Sequence, residues 1–151
     1  MKELINYLPE ITVTWSHKVL ASQRPKIVRS SSAYELSKNL YGPGQIEYVE
    51  FFHVIFTNRA NKALCSFKCS EGSVGASIVS PIKIFGAAVK CNASGIILIH
   101  NHPSGGLNPS QSDIEVTRKL QEGAKLLDMV IQDHIIITTE GYTSFADEGL
   151  L

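Results

Sequence analysis

The sequence predicts an α/β domain, a mixed β-sheet flanked by helices, and three observations carry that expectation. Short apolar runs of strand length, at 51–57, 95–99 and 129–138, alternate with stretches of helical periodicity, at 80–90 and 110–127. The runs at 51–57 and 63–68 are separated only by Asn58-Arg59-Ala60-Asn61-Lys62, a turn that returns the chain as an antiparallel partner. Strands thus mix with helices while neighbouring strands also pair by hairpin, which favours a mixed sheet over a purely parallel one. Finally, 151 residues with 44% hydrophobic and 19% charged side chains exclude wholesale disorder. A chain of this size buries roughly 70% of its unfolded surface, so a real core is expected.

Taken in order, residues 1–25 read as an N-terminal arm with one short strand. Pro9 breaks its start, Ile11-Thr12-Val13-Thr14-Trp15 alternates β-branched residues, and Arg24-Pro25 interrupts. Residues 26–151 form the main domain. Lys26-Ile27-Val28 is a short extended piece. Ser32 and Glu35 have capping-box spacing and open a helix to about Leu40, which Tyr41-Gly42-Pro43-Gly44 stops. The hairpin follows, then a loop at 71–75 and an extended segment at 77–79. Ser80-Pro81 is an N-cap with proline at the first helical position. That helix is expected to bury Ile82, Phe85 and Val89, with Ile84 or Ala88. After the strand at 95–99, the helix at 110–127 places Ile114, Thr117, Leu120, Ala124 and Leu127 at helical spacing. A strand at 129–138 centres on Ile135-Ile136-Ile137, and a last short one covers 142–145. There is no internal repeat, low-complexity segment or linker.

Composition narrows the partners. Lysine plus arginine and aspartate plus glutamate number 14 each, so no basic bias points to duplex DNA or an anionic membrane. No stretch is long and apolar enough to span a bilayer, and the first residues are too polar for a secretory signal. Three cysteines, Cys65, Cys69 and Cys91, are an odd and small number, which favours reduced thiols and a cytoplasmic location.

The chemistry concentrates in His100-Asn101-His102-Pro103-Ser104-Gly105 and, a few residues on, Ser110 and Asp113. In extended backbone residues two apart point the same way, so both imidazoles face one point. Pro103 and Gly105-Gly106 force a loop, and Ser110 starts a helix with Asp113 in its first turn. Two nitrogens and one carboxylate oxygen suit zinc and leave a fourth position open. A structural role is the competing reading of the first motif, but two histidines flanking one residue at a strand end, with Pro-Ser-Gly behind them, favour metal binding. Ser110 with Asp113 is equally a capping box, stabilising by about 1 kcal/mol without any chemistry. Asp113 cannot spend the same oxygen on both tasks. Glu50 precedes an otherwise apolar strand and is by itself a solvated edge carboxylate; spacing does not choose between it and Glu47. Asp133-His134 is either a pair supporting the site from behind or a satisfied core histidine, and the latter is commoner. His17 and His53 read as structural or surface residues. Cys65 and Cys69 share one strand face as buried thiols.

The residues His100 to Gly105, Pro109-Ser110 and Asp113 resemble the JAMM motif of the JAB/MPN metalloprotease family. Adding 50–56, 57–62, 133–137 and 141–145, the pattern from about Val28 to the C-terminus resembles the RadC-like branch. The resemblance implies a fold similar to cytidine deaminases, with His100, His102 and Asp113 as zinc ligands. It implies Glu50 as general base and then acid, and Ser110 as the motif serine stabilising an oxyanion. The activity implied is metallopeptidase or isopeptidase-type hydrolysis of an amide, on a peptide or protein substrate. Longer RadC proteins carry a helix-hairpin-helix-like region for which the residues before Val28 leave no room. The alternative expectation is a DNA-repair-associated binding or scaffold module without hydrolytic activity, which the balanced charge does not support. Zinc-dependent deamination would require a Pro-Cys-x-x-Cys spacing that Cys65, Cys69 and Cys91 do not provide. No membrane partner is implied, and a domain this small is compatible with a homodimer.

Overall fold

The computed structural model describes residues 19–72 and 79–151. The expected strand at 11–15, His17, and the loop and extended segment across 73–78 lie outside the described residues. The elements are α1 (Ser30–Ser37), α2 (Gln45–Tyr48), β1 (Phe51–Thr57), β2 (Ala63–Glu71), α3 (Pro81–Lys90), β3 (Gly95–Asn101), α4 (Gln111–Leu126), β4 (Val130–Ile137) and β5 (Tyr142–Ser144).

The strands form one mixed sheet in the order β2-β1-β3-β4-β5. β1 pairs antiparallel with both β2 and β3, β3 pairs parallel with β4, and β5 returns antiparallel on β4. The parallel step requires a crossover, which α4 supplies. β1 and β3 are buried along their whole length because they are central and covered on both faces, which is why they read as continuous apolar runs rather than alternating ones. One face carries Phe52, Val54, Phe56, Ile96 and Leu98 against Ile84 and Ala88 of α3 and Leu120 and Ala124 of α4. The other carries Ile55, Ile97, Ile99, Ile135 and Ile137 against Ile27 and Ala33, the latter on α1. Gly95 is required where β3 begins. The Thr57 hydroxyl donates to Gln132 Oε1 at 2.9 Å from one neighbouring strand to the other, and a Cβ at Gly95 would collide with both side chains.

Four expectations are corrected. α1 begins at Ser30, not after a Ser32 cap, and its N-cap is Arg29 with no side-chain bond. Its start is set by docking: Ser30 Oγ lies 3.3 Å from the Tyr142 hydroxyl, and the Tyr34 and Tyr142 rings stack at 4.4 Å. On α3, Ile84 and Ala88 are buried with Phe85 packed beside them, whereas Ile82 and Val89 are 82% and 56% exposed. The helix touches the sheet along one narrow stripe, and positions 82 and 89 fall on its flank. Ser80 is the N-cap of α3, but its side chain makes no capping bond. At the end of α4 the expected core residue Leu127 is 42% exposed, because the helix stops at Leu126 and the chain turns into β4.

Candidate metal centre

β3 ends at the site. The register sets Phe52 of β1 opposite His100, and His100 shares the α3/α4 face with Ile96 and Leu98. His102 lies just past the strand end, where its N–H donates to Ile137 O at 3.2 Å. The loop then doubles back. Gly105 takes a positive φ of 81° that favours glycine and donates to His102 O at 3.0 Å, while Gly106 O accepts from His102 Nδ1 at 2.6 Å. A carbonyl only accepts, so His102 carries hydrogen on Nδ1 and its Nε2 faces inward. Ser110 caps α4 and Asp113 lies in the first turn. Ligand positions beyond the carboxyl ends of strands are where open α/β sheets place their sites.

Three side chains from these elements meet. His100 Nε2 and His102 Nε2 are 2.9 Å apart. Asp113 Oδ1 is 3.3 Å from His100 Nε2, and Asp113 Oδ2 is 3.5 Å from His102 Nε2. One donor atom from each of the three lies within 4.8 Å of the others, a geometry that could hold a metal ion. The side chains are 1%, 16% and 14% exposed, in that order, so the cluster is closed behind and open in front. Two imidazole nitrogens crowded against a carboxylate repel one another unless a cation lies among them, and nitrogen with oxygen donors suits a borderline divalent ion. The residues therefore fit a metal. Without one, a proton does that work. The hydrogen bond with Asp113 raises the pKa of His102 above its ordinary value against the opposing effect of burial. Burial pushes the Asp113 carboxyl up, but the bonds from His100, His102 and Ser110 outweigh it and hold it well below the usual carboxylate range.

The capping role of Asp113 coexists with this placement by a division of oxygens. Oδ2 accepts from Ser110 N and from the Ser110 hydroxyl, both at 2.7 Å, while the Ser110 hydroxyl oxygen accepts from Asp113 N at 3.1 Å. Oδ1 takes no part in the cap and faces His100, while Oδ2 serves the cap and also lies toward His102.

Glu50 is half-buried and immediately precedes β1. It lies two residues before Phe52, as His102 lies two after His100, just beyond the last antiparallel pair of β1 with β3. Its charge contributes to raising the His102 pKa. Glu47 is elsewhere, with its carboxylate accepting from the Thr139 hydroxyl at 3.2 Å. Asn101 holds the Glu50 segment in place. Its carbonyl oxygen accepts from Phe51 N at 2.7 Å, and its amide donates to Ile46 O and Val49 O at 2.8 Å each. This residue was not singled out by sequence reasoning; an asparagine inside a strand that turns to the face opposite the histidines was the available signal.

Asp133 and His134 do not act as a pair. Asp133 accepts from the Ser144 hydroxyl, from Ala146 N and from His134 N, fastening the end of β5 to β4. Burial pushes its carboxyl up. His134 points to the other face, where its Nε2 is 2.8 Å from His100 Nδ1. His53 lies on the face away from the cluster, buried in a ring group with Tyr41 and Phe51. Cys65 and Cys69 pack on the α3/α4 face with Cys91, all three as free thiols. Among the described residues, no helix is long and apolar enough to cross a membrane.

A five-stranded mixed sheet between helical layers, with a His-x-His strand end meeting an aspartate in the next helix, defines an α/β domain with a candidate metal centre. A family profile described as the RadC-like JAB domain matches residues 27–150, and the chain belongs to that family. It is 39% identical over 125 residues to a UPF0758 protein of Flavobacterium johnsoniae, covering 83% of this chain and 53% of that one. It is 41% identical over 103 residues to a UPF0758 protein of Symbiobacterium thermophilum, covering 68% and 44%. A UPF0758 protein of Fusobacterium nucleatum is 35% identical over 134 residues, covering 89% and 56%. The chain thus spans about half the length of the curated relatives it matches.

Proposed function

We propose that this chain is a zinc-dependent hydrolase of amide bonds, acting on a peptide or isopeptide in the cytoplasm. The observation that carries the reading is the convergence of His100 Nε2, His102 Nε2 and an Asp113 oxygen at the end of β3, and the action of the Glu50 charge on His102 supports the choice of base. His100, His102 and Asp113 would hold the ion. When bound, zinc supplies Lewis acidity, which makes water acidic near neutral pH and polarises a carbonyl. Glu50 takes the proton from the attacking water and returns it to the departing amine as the C–N bond breaks, so one residue serves as base and then acid. The Ser110 hydroxyl donates to the oxyanion of the tetrahedral intermediate. Its hydrogen is directed at Asp113 Oδ2 here, so this role requires rotation about the Cβ–Oγ bond, while its oxygen still accepts from Asp113 N.

Metal content of the wild-type chain beside His102→Ala, followed by a screen of linear and isopeptide-linked substrates with and without added zinc, tests the proposal. Stoichiometric zinc lost in His102→Ala, with zinc-dependent cleavage, is the expected result. A chain that takes up no zinc, or binds DNA tightly and salt-dependently without it, would favour the binding-module alternative.

A further inference from the structure

We infer that His134, oriented by Thr117, is a positioning residue that sets the tautomer of His100 and so aims its Nε2 lone pair at His102 and Asp113. The inference rests on the metal-centre reading and adds to it a buried relay. The chain of hydrogen bonds starts on α4. Thr117 Oγ1 lies 2.6 Å from Asp113 O, one turn earlier on the same helix. A backbone carbonyl only accepts, so the single hydroxyl hydrogen of Thr117 is spent there. Thr117 Oγ1 is also 2.6 Å from His134 Nδ1, and with its hydrogen committed it accepts from that nitrogen. His134 therefore carries hydrogen on Nδ1.

The next link follows from burial. His134 is fully buried, and among the described residues its ring nitrogens bond to Thr117 and His100 rather than to a carboxylate, so the ring is taken as neutral. A neutral ring with hydrogen on Nδ1 has its lone pair on Nε2, and that atom is 2.8 Å from His100 Nδ1. His100 must donate there, which leaves its Nε2 free of hydrogen on the side facing His102 and Asp113. The opposite polarity would require Thr117 to abandon Asp113 O and would point a His100 N–H into the cluster, where it would exclude a metal. The rings are caged: Phe52 stacks on His100 at 5.9 Å, and Phe145 lies 4.5 Å from His134. With His100 and His134 at 1% and 0% exposure, water has no access to replace a lost partner. The same Asp113 whose carboxylate enters the cluster thus also directs the tautomer through its carbonyl.

Imidazole ¹⁵N spectra of the metal-free wild type and zinc affinities of Thr117→Val and Thr117→Ser test this. The spectra are expected to show hydrogen on Nδ1 of both His100 and His134. Thr117→Val, similar in shape but without the hydroxyl, should lose zinc affinity, by up to the roughly 10- to 100-fold that removing a direct partner of a metal-binding histidine costs, because Thr117 acts on His100 through one further ring. Thr117→Ser should restore most of it. Hydrogen on Nε2 alone of either ring, or a folded Thr117→Val with wild-type affinity, would overturn the inference. The spectra need no metal and no folded variant, so a wild type that takes up no zinc sinks the hydrolase proposal without touching this measurement.

Discussion

Single side chains divide here into those that do chemistry and those that hold them. Glu50 belongs to the first kind under the proposed mechanism. Glu50→Gln should retain zinc at wild-type affinity and lose turnover by about 10²- to 10⁴-fold, the range general acid–base catalysis contributes, as read from kcat on an established substrate. Asn101 belongs to the second kind. It lies between the two histidines in sequence but faces the opposite side, and it makes three hydrogen bonds to backbone around Glu50. Asn101→Ala would leave one buried N–H and two carbonyls short of partners. We expect a loss of about 1–3 kcal/mol in urea unfolding, together with reduced turnover from displacement of Glu50. His100, His102, Asp113 and Ser110 were legible as candidates because strand alternation and capping-box spacing are local; Glu50 came from the family resemblance, since spacing left it level with Glu47. Asn101 and Thr117 were not, because the partners that give them their roles are 17 to 55 residues away, and for His134 the pattern left support of the site and a core histidine both open.

Two junctions between elements carry the site. The first is the start of α4, where Ser110 and Asp113 satisfy each other's backbone donors. Ser110→Ala should destabilise by about 1 kcal/mol through the lost cap, and it should also weaken zinc binding by loosening the Asp113 carboxylate. Denaturation midpoints and metal titration of the one variant measure both effects. The second is the start of β3. At Gly95 any side chain strikes the Thr57–Gln132 bridge, so Gly95→Ala is expected to cost about 1–3 kcal/mol in folding free energy. Local patterning located the strands and α4 well, since their burial is nearly continuous or strictly periodic. It failed at α1 and at the buried face of α3, where ring stacking on Tyr142 and the narrowness of the contact with the sheet decided the outcome.

Over the whole molecule, two buried histidines predict how stability responds to acid. Burial, with Lys68 nearby, pushes His53 down to about 4, and burial holds His134 well below 6.5. The unfolded chain takes up protons near the ordinary value of 6.5, whereas the folded chain does not. The unfolded state therefore binds more protons below that pH, and stability falls as acid is added, without any contribution from these groups above it. For His53 the loss runs from 6.5 down to about 4. His53→Phe should flatten that limb in pH-dependent unfolding while leaving neutral stability equal or higher, since its Nε2 has no hydrogen-bond partner among the described residues. Zinc acts on the same equilibrium from the other side. At 100 times its dissociation constant, an ion bound only by the folded state adds about 2.7 kcal/mol, so the melting temperature should rise with zinc and fall back with a chelator.

The sequence by itself determined the class of fold, the hairpin, the strand-end histidines and the helix that presents Asp113. Each of these depends on periodicities of two or 3.6 residues and on turn residues acting within a few positions. Only the tertiary structure decided that the Glu50 charge acts on His102 while Glu47 bonds Thr139, which Asp113 oxygen faces which histidine, and that Thr117, His134 and His100 lie in one hydrogen-bonded row. Those choices depend on strand register and on donors meeting acceptors from distant parts of the chain, and no local pattern encodes them.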